Sequence, residues 1–315
     1  MSLTKSRALG CIWGNCTGDA LGGPVQFKPK GQFKPVTGLR TVEPFGQPAG
    51  SYSDDGSMTL ALSQSFIDQR GKYNHVGSIK YFVSWLFSGQ FSTAKSAWDV
   101  GRSTRIALTI WNKNGSEDIE HTQSRINQKL DMEECSGNGS LMRISPIGLA
   151  LWKDIDEARR RARERSQITH PSLACLDACE LYTELLCRIM AGETKEQLVQ
   201  TASAFKISHA TLAERLSKYK NLSDWKLPSE ADMQSSGWVV DTLEVALWGL
   251  FKYDSWADGA LAVVNLGGDS DTAGAVYGAL AGAFYGFASI PSQWVEGMKN
   301  FKLIQEIAEG ISGLV

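Results

Sequence analysis

Between Ala273 and Ala288 the chain carries Gly274, Ala275, Gly278, Ala279, Ala281, Gly282 and Ala283, small residues that recur at helical spacing. Such a surface lets neighbouring backbones approach closely, so the run is read as a buried helix. It is too short and too interrupted by glycine to span a membrane. A chain built around it has to wrap other helices against its faces.

The helix is preceded by a polar knot, Asn265-Leu266-Gly267-Gly268-Asp269-Ser270-Asp271-Thr272, with the apolar run Ala260 to Val264 before it. Asp and Ser at a helix start are ordinary caps, satisfying the free amides of the first turn. A second stretch of the same kind, Ser53-Asp54-Asp55-Gly56-Ser57, also stands just before an apolar helix (Met58, Leu60, Ala61, Leu62, Phe66). One such knot is a cap; two suggest a site. Four carboxylates brought together repel and raise one another's pKa values, whereas two divalent cations balance their charge. Asp54, Asp55, Asp269 and Asp271, with the hydroxyls of Ser53 and Thr272, form an all-oxygen ligand set that suits Mg or Mn and argues against Zn.

With 315 residues, 43% of them hydrophobic and 21% charged, the chain is long enough for a large core, and no linker separates it into parts. The net charge of −2 gives no global reason for a nucleic-acid or anionic-membrane partner. The start, Met1-Ser2-Leu3-Thr4-Lys5-Ser6, is polar and has no apolar signal core, so a cytosolic protein is expected. Cys11, Cys16, Cys135, Cys175, Cys179 and Cys187 include no C-x-x-C pair and read as free thiols. His75, His121, His170 and His209 lack metal-ligand spacing.

Residues 5 to 22 read as a helix with Ala8, Cys11, Ile12, Asn15, Cys16 and Asp19 on one inward stripe, ending at a break over Gly18-Asp19-Ala20-Leu21-Gly22. An inward Asp19 needs a partner. Residues 23 to 50 hold Pro24, Pro29, Pro35, Pro44 and Pro48 with Lys28, Lys30, Lys34 and Arg40, and read as a long ordered loop or lid with solvated cations. Helical periodicity then dominates: Val76 to Phe87, Ala94 to Trp111, Leu141 to Trp152, Ile155 to Arg165, Leu173 to Met190, Leu212 to Tyr219 and Val239 to Tyr253. The basic run Arg159 to Arg165 follows Asp156 and Glu157 and reads as a salt-bridged, solvated face. Residues 220 to 237 read as a surface connection, and no convincing strand appears.

Five motifs in this order, Gly18-Asp19-Ala20-Leu21-Gly22, Ser53-Asp54-Asp55-Gly56-Ser57-Met58, Asn138-Gly139-Ser140-Leu141-Met142-Arg143, Thr169-His170-Pro171 and Leu266-Gly267-Gly268-Asp269-Ser270-Asp271-Thr272, resemble those of the ADP-ribosylglycohydrolase family, which includes the dinitrogenase reductase-activating glycohydrolases. The resemblance runs from about residue 7 to about 290. It implies an all-α fold, a compact orthogonal bundle of many helices forming one domain over residues 1–315, with two Mg or Mn ions in a central cleft. The activity it implies is hydrolysis of the glycosidic bond at C1'' of ADP-ribose, freeing ADP-ribose from arginine, serine or a small conjugate. The alternative is a non-catalytic ADP-ribose binder or a crystallin-like structural protein with the same fold. The resemblance leaves the acceptor and the oligomeric state open.

Residue by residue, the resemblance assigns metal ligation to Ser53, Asp54, Asp55, Asp269, Asp271 and Thr272, the set already reached from charge. Asp99, in Trp98-Asp99-Val100-Gly101, falls on the family's acidic residue beside the scissile ribose, with Gly101 next to the substrate. Asp99, Asp55 and Asp271 are the expected catalytic carboxylates. Gly137, Asn138, Gly139 and Ser140 open a helix and are placed to give amides to a pyrophosphate, although a tight turn has the same sequence. His170 matches a histidine near the nucleotide and also suits a turn before proline. Trp238 matches an aromatic position near the ligand and equally suits a core tryptophan. Arg143 is expected to be a buried partner of a carboxylate. The chain departs from the family at Gly56, where many members carry threonine, and at Gln26, where members usually carry glutamate. Gln26 is expected in the site, the other possibility being a loop residue facing solvent.

Overall fold

The computed structural model describes residues 1–115 and 118–315, and these contain sixteen α-helices and no β-strand. They are α1 (Leu3–Gly22), α2 (Asp54–Asp68), α3 (His75–Ser88), α4 (Arg102–Asn114), α5 (Ile119–Leu130), α6 (Ser145–Ala150), α7 (Ile155–Gln167) and α8 (Leu173–Ala191). The second half holds α9 (Lys195–Ala204), α10 (Ala210–Leu216), α11 (Leu222–Lys226), α12 (Val239–Lys252), α13 (Trp256–Val264), α14 (Ser270–Tyr285), α15 (Ser292–Glu296) and α16 (Phe301–Ser312). The all-α expectation is met.

The glycine-rich run is α14, buried over Ser270 to Ala283, and its closest neighbour is α1. Gly10, Gly14, Gly18 and Gly22 of α1 lie against Gly282, Gly278, Gly274 and Ser270 of α14, so the two helices run antiparallel. A Cβ added at Gly10, Gly14 or Gly18 would fall on the carbonyl oxygen of its partner. Backbones this close leave no room for larger residues, which is why both helices carry glycine every fourth position. α1 ends at Gly22, as read from the sequence, and stays helical through Gly18 to Gly22 because its glycines serve packing.

Around this pair, α8, α12 and α13 pack against α14, and α16 packs against α1 and α2. Polar side chains buried there bond to helix carbonyls: Tyr182 Oη to Val276 O at 3.0 Å and Trp256 Nε1 to Gly278 O at 3.0 Å. These two buried donors thus keep a partner. The buried apolar residues from Ala8 to Ile311 form one contiguous core.

Two expected helices are shorter than their periodicity. The segment read from Ala94 becomes helical only at Arg102, and residues 92–101 are irregular, with Phe91 and Asp99 in the left-handed region before and within them. The segment read from Leu141 splits into a 3-10 turn, Asn138–Arg143, and α6, because Pro146 lacks an amide to continue a helix. The helices α5, α9, α13, α15 and α16 lie outside the segments read as helical, and the 220–237 connection contains the short α11.

The long loop after α1 is ordered, as expected. Asn265 holds it through both amide atoms, accepting from Val36 N at 2.7 Å and donating to Val36 O at 3.0 Å. Phe27 N donates to Gly268 O at 2.6 Å and Gly268 N to Lys28 O at 3.0 Å. The loop is thereby stitched to the turn that precedes α14. Its Lys28 and Lys30 pair with Glu43 and Glu230 near solvent, and Arg159, Arg160, Arg161 and Arg163 of α7 pair with Glu157, Glu164, Asp177, Glu180 and Glu184, as expected of solvated faces, whereas Arg165 at the end of that run is fully buried and donates to Tyr73 Oη at 3.0 Å. No helix among the described residues is long and apolar enough to cross a membrane.

Candidate active site and metal centre

The antiparallel glycine contact brings the last turn of α1 beside the first turn of α14, and so Asp19 beside Asp271. The start of α2 completes the cluster. Oxygen atoms of Asp19, Asp55 and Asp271, all buried, lie within 4.8 Å of one another. Asp19 has the partners its inward position demanded: its carboxylate accepts from Ser53 N at 2.8 Å and Gly56 N at 2.9 Å, capping α2 from outside the helix. Its membership in the cluster was not read from the sequence, although its place on the inward stripe was the available signal.

Ser53 is the N-cap residue of α2, and its hydroxyl also donates to Asp55 Oδ2 at 3.0 Å. Thr272 Oγ1 reaches the same oxygen at 3.4 Å from α14. Asp269 stands at the N-cap position of α14 yet makes no capping bond. Its Oδ2 instead accepts from Asn138 Nδ2 at 2.7 Å, and that amide also bonds Thr242 Oγ1 at 2.9 Å. Capping therefore accounts for Ser53 and not for Asp269.

Asp54, Asp55 and Asp271 are pushed well above the usual carboxylate range, first by burial and then by neighbouring carboxylates. Asp19 rises to about 8, burial again dominating over the amide hydrogen bonds that favour its charge. Asp99 is raised by burial and by Asp269, while contacts with Gln26 and Asp271 act the other way. The charges that act on this group are chiefly each other; the buried Arg143 guanidinium feels Asp54 but makes no ion pair with it. Carboxylates massed this way are stable as anions only with a cation among them.

Above the cluster opens a cleft of about 430 Å³. Its lining includes Gln26, Asp54, Asp99, Gly101, Gly137, Asn138, Gly139, His170, Asp269, Asp271 and Thr272 from the sequence-derived set. Ser53 and Asp55 lie beneath it, both almost wholly buried. Gln26 does not face solvent: it is 1% exposed, and neither its Nε2 nor its Oε1 has a hydrogen-bond partner. Asp55 Oδ1, Asp271 Oδ1 and Asp99 Oδ2 are likewise buried and unpartnered. Orphaned acceptors in an all-oxygen cluster fit a divalent cation of the Mg or Mn type.

Other expectations need correction. Ser140 does not line the cleft; it is fully buried and accepts from Ser166 Oγ at 2.8 Å. Trp238 is half-buried outside the lining, with Nε1 donating to Glu133 Oε1 at 3.1 Å and Arg215 over its ring. The Asn138 amide is committed to Gly237 O at 3.0 Å, so it is not free for a phosphate. Arg143 is buried but has no ion pair with a carboxylate: it donates to Thr169 Oγ1 at 2.5 Å and sits over the Phe82 ring, and burial beside Arg165 lowers its pKa to about 9. His170 is neutral, its pKa lowered to about 3 by burial and by Arg143, and its Nδ1 pairs with Thr169 Oγ1 at 2.7 Å. Phe27, Arg102, Thr104 and Cys135 also line the cleft and were not singled out from the sequence.

The family model for ADP-ribosylglycohydrolase matches residues 1–315. The chain is 29% identical over 304 residues to an ADP-ribosylarginine hydrolase of Pseudomonas putida, covering 96% of this chain and 77% of that protein. It is 27% identical over 313 residues to the ADP-ribosyl-[dinitrogen reductase] glycohydrolase of Rhodospirillum rubrum, covering 98% and 95%. A solved structure described as an ADP-ribosylglycohydrolase-related protein complex superposes with a TM-score of 0.82 at 28% identity, covering 100% of this chain and 99% of that one. With the whole chain matched and the acidic motifs converging on one cleft, the protein belongs to the ADP-ribosylglycohydrolase family, hydrolases of glycosidic bonds.

Proposed function

We propose that the protein hydrolyses the glycosidic bond at C1'' of ADP-ribose with the help of two divalent cations, Mg or Mn, and that it releases ADP-ribose from a modified arginine side chain. The observation that carries this reading is the set of six mutually repelling carboxylates, Asp19, Asp54, Asp55, Asp99, Asp269 and Asp271, gathered at one cleft, none of them in a salt bridge with a lysine or arginine among the described residues. Its named relatives act on ADP-ribosylarginine or on an ADP-ribosylated dinitrogen reductase, which supports a modified protein as substrate. The free thiols suit a reducing cytosol.

Asp54, Asp55, Asp269 and Asp271 would hold the cations, helped by the hydroxyls of Ser53 and Thr272. When bound, they supply Lewis acidity and make water a stronger nucleophile near neutral pH. Asn138 orients Asp269 through its amide. Asp99, raised in pKa and with an unpartnered Oδ2, takes a proton from the attacking water and returns one to the leaving nitrogen. Water oxygen bonds to C1'' as the bond to that nitrogen breaks. His170, neutral, lines the wall with Gly101, Gly137 and Gly139, where the nucleotide lies.

The test is release of ADP-ribose from ADP-ribosylated arginine and, separately, serine, with purified protein and Mg or Mn. Release that depends on the cation and favours arginine is expected. Binding of ADP-ribose with no release from either substrate would show a non-catalytic binder instead.

A further inference from the structure

Phe27 combines two features that folding alone disfavours. Its φ is +63°, a left-handed conformation that a bulky residue adopts only when its surroundings impose it. It is also 66% exposed, so little burial offsets the strain. The imposing contacts are the two backbone hydrogen bonds that join Phe27 and Lys28 to Gly268. Gly267 and Gly268 admit this approach because side chains there would collide with the backbones of Lys28 and Ser235. Held this way, Gln26 is buried and Phe27 is exposed, and both line the cleft.

The ring does not stand alone. Phe27 meets Phe45 edge-on with centroids 6.4 Å apart, and Phe45 meets Trp98 at 5.3 Å. Trp98 directly precedes Asp99, which is itself left-handed at φ +54°. An aromatic row thus joins the neighbours of the two polar groups, Gln26 and Asp99, that flank the expected leaving-group end.

We propose that Phe27, backed by Phe45, is a specificity-determining platform on which the substrate's acceptor side chain stacks, and that it selects a planar cation, a guanidinium. The inference rests on the cleft being an ADP-ribose site. An aromatic face attracts a cation, and a guanidinium also lies flat on it as a compact ammonium does not. Asp99, outside the set proposed to hold the cations, lines the same cleft and favours positive charge there. A serine hydroxyl gains from neither feature.

The experiment is calorimetry on the intact, Mn-loaded protein saturated with ADP-ribose, with agmatine as the guanidinium probe and 1,4-diaminobutane, equal in charge, as its ammonium counterpart. Agmatine is expected to bind several-fold more tightly than 1,4-diaminobutane. Phe27→Leu keeps apolar bulk and removes the π face; it should weaken agmatine about fivefold to tenfold while shifting ADP-ribose affinity less than twofold, and Phe27→Tyr should restore agmatine. Melting curves check that the loop variants remain folded. Equal agmatine binding in Phe27→Leu and wild type overturns the proposal. So does a loss of ADP-ribose affinity in Phe27→Leu, which would seat the nucleotide on this ring. ADP-ribose binding without agmatine binding in the wild type refutes this inference alone, whereas failure to bind ADP-ribose refutes the proposed function beneath it.

Discussion

Asp271 is 2% exposed, with its Oδ1 unpartnered and Asp269, Asp99, Asp55 and Asp19 acting on it. Asp271→Asn removes one of the charges that a cation needs, and turnover is expected to fall at least ~100-fold with weaker Mn binding. The metal-free protein should melt no lower than wild type, since a repelled buried charge has gone. Full activity in Asp271→Asn and in Asp54→Asn would move the site elsewhere. Gln26 stands where the family resemblance implies a glutamate, and its buried amide can neither take a proton nor add charge. Gln26→Glu is expected to tighten Mn binding measured by calorimetry and to lower the metal-free melting temperature, as an added buried carboxylate should. If Gln26→Glu and Gln26→Ala gave the wild-type isotherm, Gln26 would have no part in the metal centre.

At the scale of elements, the contact of α1 with α14 both builds the core and sets the site. A Cβ at Gly18 would fall on the Gly274 carbonyl, and backbone cannot yield as a side chain does. Gly18→Ala is therefore expected to cost about 1–3 kcal/mol, as overpacking in a tight interior does. Because Asp19 is the next residue, the same substitution should also loosen Mn binding by parting the turn of α1 from that of α14. Thermal melts with and without Mn check both effects. A Gly18→Ala protein with wild-type stability would mean that the helices can separate freely, and the account of this interface would be wrong.

Across the whole molecule, residues 19, 53–55, 99 and 269–272 meet from α1, α2, the segment before α4 and α14. A cation held there joins parts of the chain that are far apart in sequence, so it should stabilise the entire fold. For one site occupied at a hundred times its Kd, linkage gives about 2.7 kcal/mol. Mn or Mg should accordingly raise the melting temperature by several degrees, and a chelator should reverse the shift. An Asp55→Asn, Asp271→Asn double variant should show no such response. A wild-type melting temperature indifferent to both metals would remove the cation from the account.

By itself the sequence determined the buried helix at α14, the helical period of most of the chain and the two acidic knots, because these are local patterns: small residues every fourth position, apolar stripes, and carboxylates beside a helix start. It also marked Asp19 as inward and Gln26 as a departure from the family. Only the tertiary structure decided that Gly10, Gly14, Gly18 and Gly22 answer the glycines of α14, since a glycine row looks like a break until a partner backbone lies against it. The same holds for Ser140, Trp238 and Arg143, whose residue types suit a ligand, a core or a charge partner equally well in one dimension. Their roles follow from which neighbours claim their hydrogen bonds and ring faces, and those neighbours come from distant helices. Phe27 was likewise silent as sequence, because its strain and exposure arise from the clamp with Gly268, 241 residues away by the difference of their numbers.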